Sequence, residues 1–276
     1  MNWHIGRQII SLDVPKIMGI WNISPDSFSS SVERDDGLTL ASRLLSEGAD
    51  ILDVGAESTR PGADAVSPEE EILRLMPLMD ARRMFSCPIS LDSRHVETIE
   101  WALKCGFVDI INDIGESEKL CDRREGMIYR LVSECGAGIV LMAWRDHNAG
   151  SFGFEACIRF IYDQLARRIE FALRCGVAHE AIVIDPGIGF GKGLANDLRL
   201  ISEAPRALAP LGCPVLIAHS RKRCLARATG LDVSALDWPT AVSAALAIQN
   251  GAALVRVHSP KETVLATKLV VSSGRS

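Results

Sequence analysis

The sequence predicts a (β/α)8 barrel, and three observations carry that expectation. Eight short apolar runs recur along the chain, and each is followed by a polar cluster and then an amphipathic stretch. The runs are continuous and β-branched where half-buried strands would alternate, the pattern of strands covered on both faces of a parallel sheet. The polar clusters stand at the C-terminal ends of the runs, where a barrel gathers its ligand groups. In order, the runs are Ile17–Ile23, Ile51–Gly55, Ile89–Asp92, Asp109–Asn112, Ile139–Met142, Ala181–Ile184, Val215–Ala218 and Ala253–Val257. An open doubly wound sheet has the same alternation and stays open as an alternative on periodicity alone. With 276 residues and no linker or low-complexity tract, one barrel domain over residues 1–276 is expected. A short hairpin at Arg7–Val14 would plug the barrel bottom before the first barrel strand.

The stretches between the runs read as helices. Ser67-Pro68-Glu69-Glu70 carries a capping Ser, a first-turn Pro and a Glu three residues on, which together make a helix start. Ile72, Leu75, Met76 and Met79 would then form the apolar stripe. Ala41–Glu47, Val96–Cys105, Met127–Cys135, Phe160–Cys175, Leu194–Ala207 and Thr240–Asn250 follow the same pattern. Gly48, Gly106, Gly136, Gly176 and Gly251 stand where these helices should stop in a left-handed residue.

Composition narrows the class. The chain is 47% apolar and 24% charged with net charge −5, which gives no strongly basic face for a nucleic acid. No stretch approaches the ~20 apolar residues of a membrane helix, and the first residues lack a signal-peptide shape. Eight scattered cysteines without a C-x-x-C pair favour reduced thiols and a cytoplasmic setting, with no zinc or redox motif.

The strand ends carry the chemistry. Asn22 closes the first run, Asp53 lies in the second, Asp92 ends the third, and Asn112-Asp113 follows the fourth. Asp185-Pro186-Gly187-Ile188-Gly189-Phe190-Gly191-Lys192 follows the sixth, Ser220-Arg221-Lys222 the seventh, and Arg256-Val257-His258 the eighth. A single Asp after a strand is more often a helix cap than a ligand group. The coincidence changes the reading, because Asp92, Asn112 and Asp185 would ring one mouth with Lys222 beside them. Carboxylates that close need a donor-rich partner, a metal or a cation. A flat heterocycle with amide and amidine edges would supply donors and acceptors in the right alternation. Arg256, His258 and Lys222, with Asn22 next around the barrel, suit a phosphate or pyrophosphate with Mg2+ bridging its oxygens and Asn22 giving one oxygen ligand. The segment Gly187–Lys192 is not a P-loop, because Pro186 and Gly193 occupy its outer positions, and it is not a dinucleotide fingerprint either. Its glycines would allow close backbone approach or a tight turn. Neither Ser220 nor a cysteine has an assigned His and acid, so no nucleophile is expected.

Seven of these segments resemble the dihydropteroate synthase family, in that family's order. They are NISPDSF at Asn22–Phe28, DVGAESTRPG at Asp53–Gly62, LDS at Leu91–Ser93, INDI at Ile111–Ile114, DPGIGFGK at Asp185–Lys192, SRK at Ser220–Lys222 and RVH at Arg256–His258. The resemblance implies a transferase that condenses 6-hydroxymethyl-dihydropterin pyrophosphate with p-aminobenzoate, using Mg2+ and acting as a homodimer. It implies pterin contacts from Asp92, Asn112, Met142, Asp185, Phe190 and Lys222, with Asp92, Asp185 and Lys222 catalytic. Asn22, Arg256 and His258 would meet the pyrophosphate, with Asn22 on the metal. Thr59, Arg60 and Ser220 would lie on the p-aminobenzoate side.

The chain also departs from the family pattern. Ser29–Gly37 reads as a shortened loop without paired glycines, Met142 is followed by Ala143-Trp144-Arg145-Asp146-His147, Ile188 replaces a Phe, and Arg223 replaces a Ser. These changes cluster where the second substrate and the lids belong. Two alternatives therefore stay open: a pterin-binding paralogue without turnover, and a barrel that passes a methyl group from a folate to a corrinoid. The ESTRPG, SRK and RVH segments argue against the second, since that reaction has no pyrophosphate to hold.

Overall fold

The computed structural model describes residues 1–6, 8–23, 31–57, 66–115, 121–144 and 153–274. Two strands, β1 (Asn2–Ile5) and β2 (Gln8–Ser11), pair antiparallel. Eight parallel strands follow: β3 (Lys16–Asn22), β4 (Ile51–Gly55), β5 (Ile89–Asp92), β6 (Ile110–Asp113), β7 (Gly138–Met142), β8 (Ile182–Asp185), β9 (Leu216–Ile217) and β10 (Leu254–Val257). Each is one of the eight apolar runs, with ends shifted by at most one residue. Their order is β8-β7-β6-β5-β4-β3-β10-β9, and a bridge between Ile184 and Val215 joins the two ends into a barrel.

Helices wrap the outside: α1 (Ser31–Ser46), α2 (Pro68–Met79), α3 (Val96–Lys104), α4 (Arg123–Cys135), α5 (Phe154–Arg174), α6 (Leu194–Leu208), α7 (Arg223–Thr229), α8 (Asp237–Gln249) and α9 (Pro260–Ser272). The Ser67 cap is made, its Oγ accepting from the Glu70 N–H at 3.2 Å. All five predicted stop glycines have positive φ, from +65° at Gly136 to +103° at Gly251. Among the described residues no helix is long and apolar enough to cross a membrane.

Three expectations change. The hairpin spans Asn2–Ser11 and so begins five residues before Arg7–Val14, because Trp3 and Ile5 are the residues that fill the barrel bottom. From Ser31 onward the supposed loop Ser29–Gly37 is the first part of α1; Gly37 lies inside the helix, where its carbonyl accepts from Trp21 Nε1 at 2.8 Å. The buried face of α2 is Glu71, Leu75 and Leu78, and Met76 is exposed. The face turns because Glu71 reaches inward to Ser93, whose hydroxyl donates to it at 2.7 Å. Of the eight cysteines, Cys157, Cys213 and Cys224 are buried, whereas Cys105 and Cys135 are exposed.

Period-two alternation along the strands sorts the interior into layers. Ile17, Leu52, Leu91, Ile111, Ile139, Ile184, Ile217 and Val255 face outward into the layer beneath the helices. Met18, Ile51, Ile110, Val140, Val183, Leu216 and Leu254 face inward and pack with Trp3, Ile5 and Leu12 as the bottom plug. Trp3 is fully buried, and its Nε1 donates to the Ala181 carbonyl at 2.8 Å. Trp3→Ala should lower the free energy of unfolding by about 3–5 kcal/mol, read from the shift of the urea midpoint. A midpoint unmoved by the change would show that the hairpin is not part of the folded core.

Candidate active site

The inward layer continues upward with the same parity. Two residues above Ile51, Ser90, Ile110, Val140, Val183 and Leu254 stand Asp53, Asp92, Asn112, Met142, Asp185 and Arg256. One face of the barrel interior thus changes from apolar at the bottom to ionic at the C-terminal mouth within a single strand step.

At the centre lies an ion cluster. Arg256 donates from Nε to Asp53 Oδ2 at 2.5 Å and from Nη2 to Asp92 Oδ2 at 2.9 Å. Asn112 Nδ2 donates to the same Asp53 oxygen at 3.2 Å. The second oxygens, Asp53 Oδ1 and Asp92 Oδ1, are buried and have no hydrogen-bond partner in the protein. Burial pushes the Asp92 carboxyl up to about 7; Arg256 opposes this, while Asp53 and Glu71 add to it. Behind Asp92, burial also raises Glu71, and its Oε1 is a further buried oxygen without a partner. Around Arg256, burial works against the charge, but Asp53 and Asp92 outweigh it and hold the guanidinium above its usual pKa.

On the other flank, Asp185 Oδ1 accepts from the Gly187 N–H at 2.7 Å. Burial raises this carboxyl as well, against the pull of Lys222. The glycines after it permit close approach. Gly187 has φ +70°, and a Cβ there would lie 2.3 Å from the Ala143 carbonyl oxygen. Gly189 has φ +84°, and its Cβ would meet Lys222 Cδ at 2.9 Å. Lys192 is fully buried and donates to the carbonyls of Ala143 at 2.8 Å, Phe190 at 3.3 Å and Trp144 at 3.5 Å. Burial lowers its pKa to about 8, with Asp185 and Asp197 pulling the other way. The motif lysine is thus a strut between two mouth loops, bonded to backbone where a P-loop lysine would meet phosphate. Lys222 donates to the Ile188 carbonyl and lies 4.9 Å from the centre of the Phe190 ring. Trp144 lies against Phe190 from the other loop, with ring centres 6.1 Å apart.

A second buried ion network stands beneath the mouth. Arg168 of α5 is fully buried and donates to the Met142 carbonyl and to Asp113, with Tyr129 Oη at 3.1 Å and Glu125 at 3.2 Å. Removing one member of such a network leaves an uncompensated charge and costs roughly 3–5 kcal/mol. Arg168 therefore fixes the end of β7, where Met142 sits.

Between β9 and α7 the chain makes a tight turn. The Lys222 N–H closes it on the His219 carbonyl at 3.2 Å. Arg221 within it has φ +55°, a left-handed conformation that costs a non-glycine residue about 1–2 kcal/mol. Ser220 Oγ accepts from the His258 N–H at 3.1 Å and lies 2.9 Å from His258 Nδ1. His219 is fully buried, with Nε2 2.8 Å from Ser243 Oγ, and burial lowers its pKa to about 4, so the ring is neutral.

The structure gathers Asp92, Asn112, Met142, Asp185, Phe190, Lys222, Arg256, Ser220 and His258 at one mouth. Asn22 stands exposed at the end of β3, its Oδ1 beside Gly55. Thr59 and Arg60 lie outside the described residues, as does the segment 24–30. Arg223 is exposed at the first position of α7 and fills no buried pocket. Sequence reasoning omitted Asp53, Lys192, Arg168 and His219 from the site. The signal for Asp53 was present, since it shares inward parity with Ile51. No signal in the sequence pairs Arg168 of one helix with Asp113 of a distant strand.

Comparison with known proteins shows the family. The family model described as pterin binding enzyme matches residues 18–258. Dihydropteroate synthase of Neisseria meningitidis serogroup C is 40% identical over 274 residues, 96% of this chain and 95% of its own. The Xanthomonas albilineans dihydropteroate synthase structure with 4-aminobenzoic acid superposes with a TM-score of 0.87 at 33% identity, covering 99% of this chain and 98% of that one. A second structure of the Xanthomonas enzyme, in complex with 7,8-dihydropteroate, gives 0.83 at 29% identity and covers 98% of both chains.

The raised pKa of Asp92 has a signed consequence for stability. The folded chain binds this proton more tightly than the unfolded one. The contribution is therefore complete below the ordinary value of 3.8 and is lost as pH rises through about 7. Urea unfolding of Asp92→Asn should give a flatter stability profile than the unaltered protein across that window. An identical slope in both proteins would assign the proton to another group.

Proposed function

The chain belongs to the pterin-binding enzyme family, and from that premise we infer that it is a folate-pathway transferase of the dihydropteroate synthase type. It condenses 6-hydroxymethyl-7,8-dihydropterin pyrophosphate with p-aminobenzoate, giving dihydropteroate and pyrophosphate. The observation that carries this reading is the pair of unpartnered, buried carboxylate oxygens on Asp53 and Asp92, beside Asn112 and opposite Asp185. A buried acceptor left unsatisfied costs about 1–3 kcal/mol, and the N–H edges of a pterin would relieve that penalty. The Xanthomonas structures, with 4-aminobenzoic acid in one and 7,8-dihydropteroate in the other, support the same second substrate and product here.

In this reading Asp92, Asn112, Met142, Asp185, Phe190 and Lys222 hold the pterin. As the bond from the exocyclic methylene to the pyrophosphate oxygen breaks, positive charge develops on the methylene and spreads into the ring. Asp92 and Asp185 stabilise that charge, and the cations on the other flank stabilise the leaving group. The amine nitrogen of p-aminobenzoate then bonds to the methylene and gives up a proton. Arg256 and His258 serve the pyrophosphate, while Ser220, with Thr59 and Arg60, serves the aromatic acid. Arg256 has Nε and Nη2 committed to carboxylates, which leaves Nη1 outside both of those pairs.

Mg2+ fits as a companion of the pyrophosphate. Among the described residues no group of three or more His, Cys, Asp or Glu could hold a metal. Asn22 offers one exposed side-chain oxygen at the strand end, and Mg2+ takes most of its ligands from phosphate and water. Bound there, the ion would neutralise charge on the departing pyrophosphate.

A homodimer is supported by the outer face of α8 and α9. Trp238, Val242 and Leu246 are exposed at four-residue spacing on α8, and Leu265 and Leu269 are exposed on α9, which packs beside it. An uncovered apolar stripe of this kind marks a protein interface.

Turnover should appear with pterin pyrophosphate, p-aminobenzoate and Mg2+, and chelation should suppress it. Asp185→Ala should abolish calorimetric pterin binding while the far-UV spectrum stays unchanged. Binding of the pterin without turnover by the unaltered protein would leave the non-catalytic paralogue as the better account. Light scattering should give about twice the 30.0 kDa chain mass. Val242→Glu should halve it, and a single-chain mass for the unaltered protein would remove the dimer.

A further inference from the structure

The turn at residues 219–222 is gripped from outside the mouth. Arg221 does not reach inward; its Nε and Nη2 donate to Asp237 Oδ1 and Oδ2 at 2.7 and 2.9 Å. Its backbone N–H donates to Thr240 Oγ1 at 3.3 Å. One turn further along α8, Ser243 Oγ and the Thr240 carbonyl lie 2.8 and 3.2 Å from His219 Nε2. Three successive contacts thus tie the turn to the first two turns of α8. Arg221 occupies the left-handed region at φ +55°. The residues on either side of it, Ser220 and Lys222, are the ones that face His258, Phe190 and the Ile188 carbonyl.

Strain at a functional turn calls for a cause that over-determines it. Here the cause is visible: a bidentate ion pair and a backbone hydrogen bond hold one residue in a conformation it would otherwise leave. If Arg221 relaxed to negative φ, the two peptide planes beside it would rotate and carry Ser220 and Lys222 off their partners. We propose that Arg221, Asp237 and Thr240 are positioning residues, through which α8 holds the turn that sets Ser220 and Lys222 against the substrates. This role rests on the synthase reading above and goes beyond it, since none of the three residues touches the mouth cluster.

Glycine separates this role from a direct one. It accepts positive φ without strain but has no guanidinium, whereas alanine lacks both advantages. Steady-state kinetics with thermal melts on Arg221→Ala, Arg221→Gly, Asp237→Asn and Thr240→Val would test it beside the unaltered protein. Arg221→Ala and Asp237→Asn should lose on the order of tenfold to a hundredfold in kcat/KM, the scale set by a group misplaced by about 1 Å. Arg221→Gly should keep several-fold more activity than Arg221→Ala, and Thr240→Val should lose less than either charge change. The melts should stay cooperative and above the assay temperature. Equal impairment in the glycine and alanine variants would overturn the proposal, and so would normal turnover by Asp237→Asn. If the unaltered protein shows no turnover, the synthase reading fails by itself. Calorimetry of pterin pyrophosphate binding then decides the positioning role: weaker binding by Arg221→Ala than by Arg221→Gly supports it, and equal binding overturns it.

Discussion

Arg256 holds two carboxylates from neighbouring strands on one guanidinium, and the mouth depends on that pairing. Asp53 and Asp92 project inward from β4 and β5 at adjacent strand ends, where two buried carboxyl groups so close together call for a cation between them. One positive charge does not balance two negative ones in a buried site, and Glu71 stands behind them with its own buried carboxyl. Burial, with that surplus added to it, raises the Asp92 pKa, and oxygens are left that no protein group satisfies. The site is therefore incomplete as a protein structure, and complete only with donors from a ligand. A ligand of the same shape lacking those donors would leave the carboxylates unpaired, so discrimination is inherent in the arrangement.

Two further cations keep this arrangement rigid without entering it. Arg168 connects β6, β7, α4 and α5 beneath the mouth, and Lys192 bonds the carbonyls of the loops after β7 and β8 together. Both are fully buried, and both have their charge met by carboxylates or backbone oxygens. Groups fixed in this way need no reorganisation when charge develops on a bound substrate, which is the main source of electrostatic catalysis. The glycines at 187 and 189 belong to the same device, since any side chain there would displace Ala143 or Lys222.

Legibility in the sequence followed the range of the interactions. Strand runs, the Ser67 cap and the glycine stops are local, and all are found as expected. The inward parity of Asp92, Asn112 and Asp185 was also readable, because a strand's alternation extends a known core position by two residues. Glu71 was left out of the predicted buried stripe, since a charged residue on an amphipathic helix is normally placed outside and its partner, Ser93, lies 22 positions on. Gly37 was read as a loop for a similar reason: packing against Trp21 and Leu78 keeps a helix going through a residue that tends to end one. The pairings of Arg168 with Asp113 and of Arg221 with Asp237 join segments whose nearness only the closed barrel creates.

The two halves of the site are built on different kinds of structure. The carboxylate cluster rests on strand ends, each paired to neighbours on both sides, so a change there disturbs the barrel itself. The side assigned to the aromatic acid rests on segments after strands: the turn at 219–222 and the start of α7 with Arg223. Such segments tolerate substitution because few ladder bonds constrain them. The turn is the exception among them, since α8 holds it through Asp237, Thr240 and Ser243. Variation can therefore accumulate at Arg223 while Ser220 and Lys222, on the held turn, keep their places against His258 and Phe190.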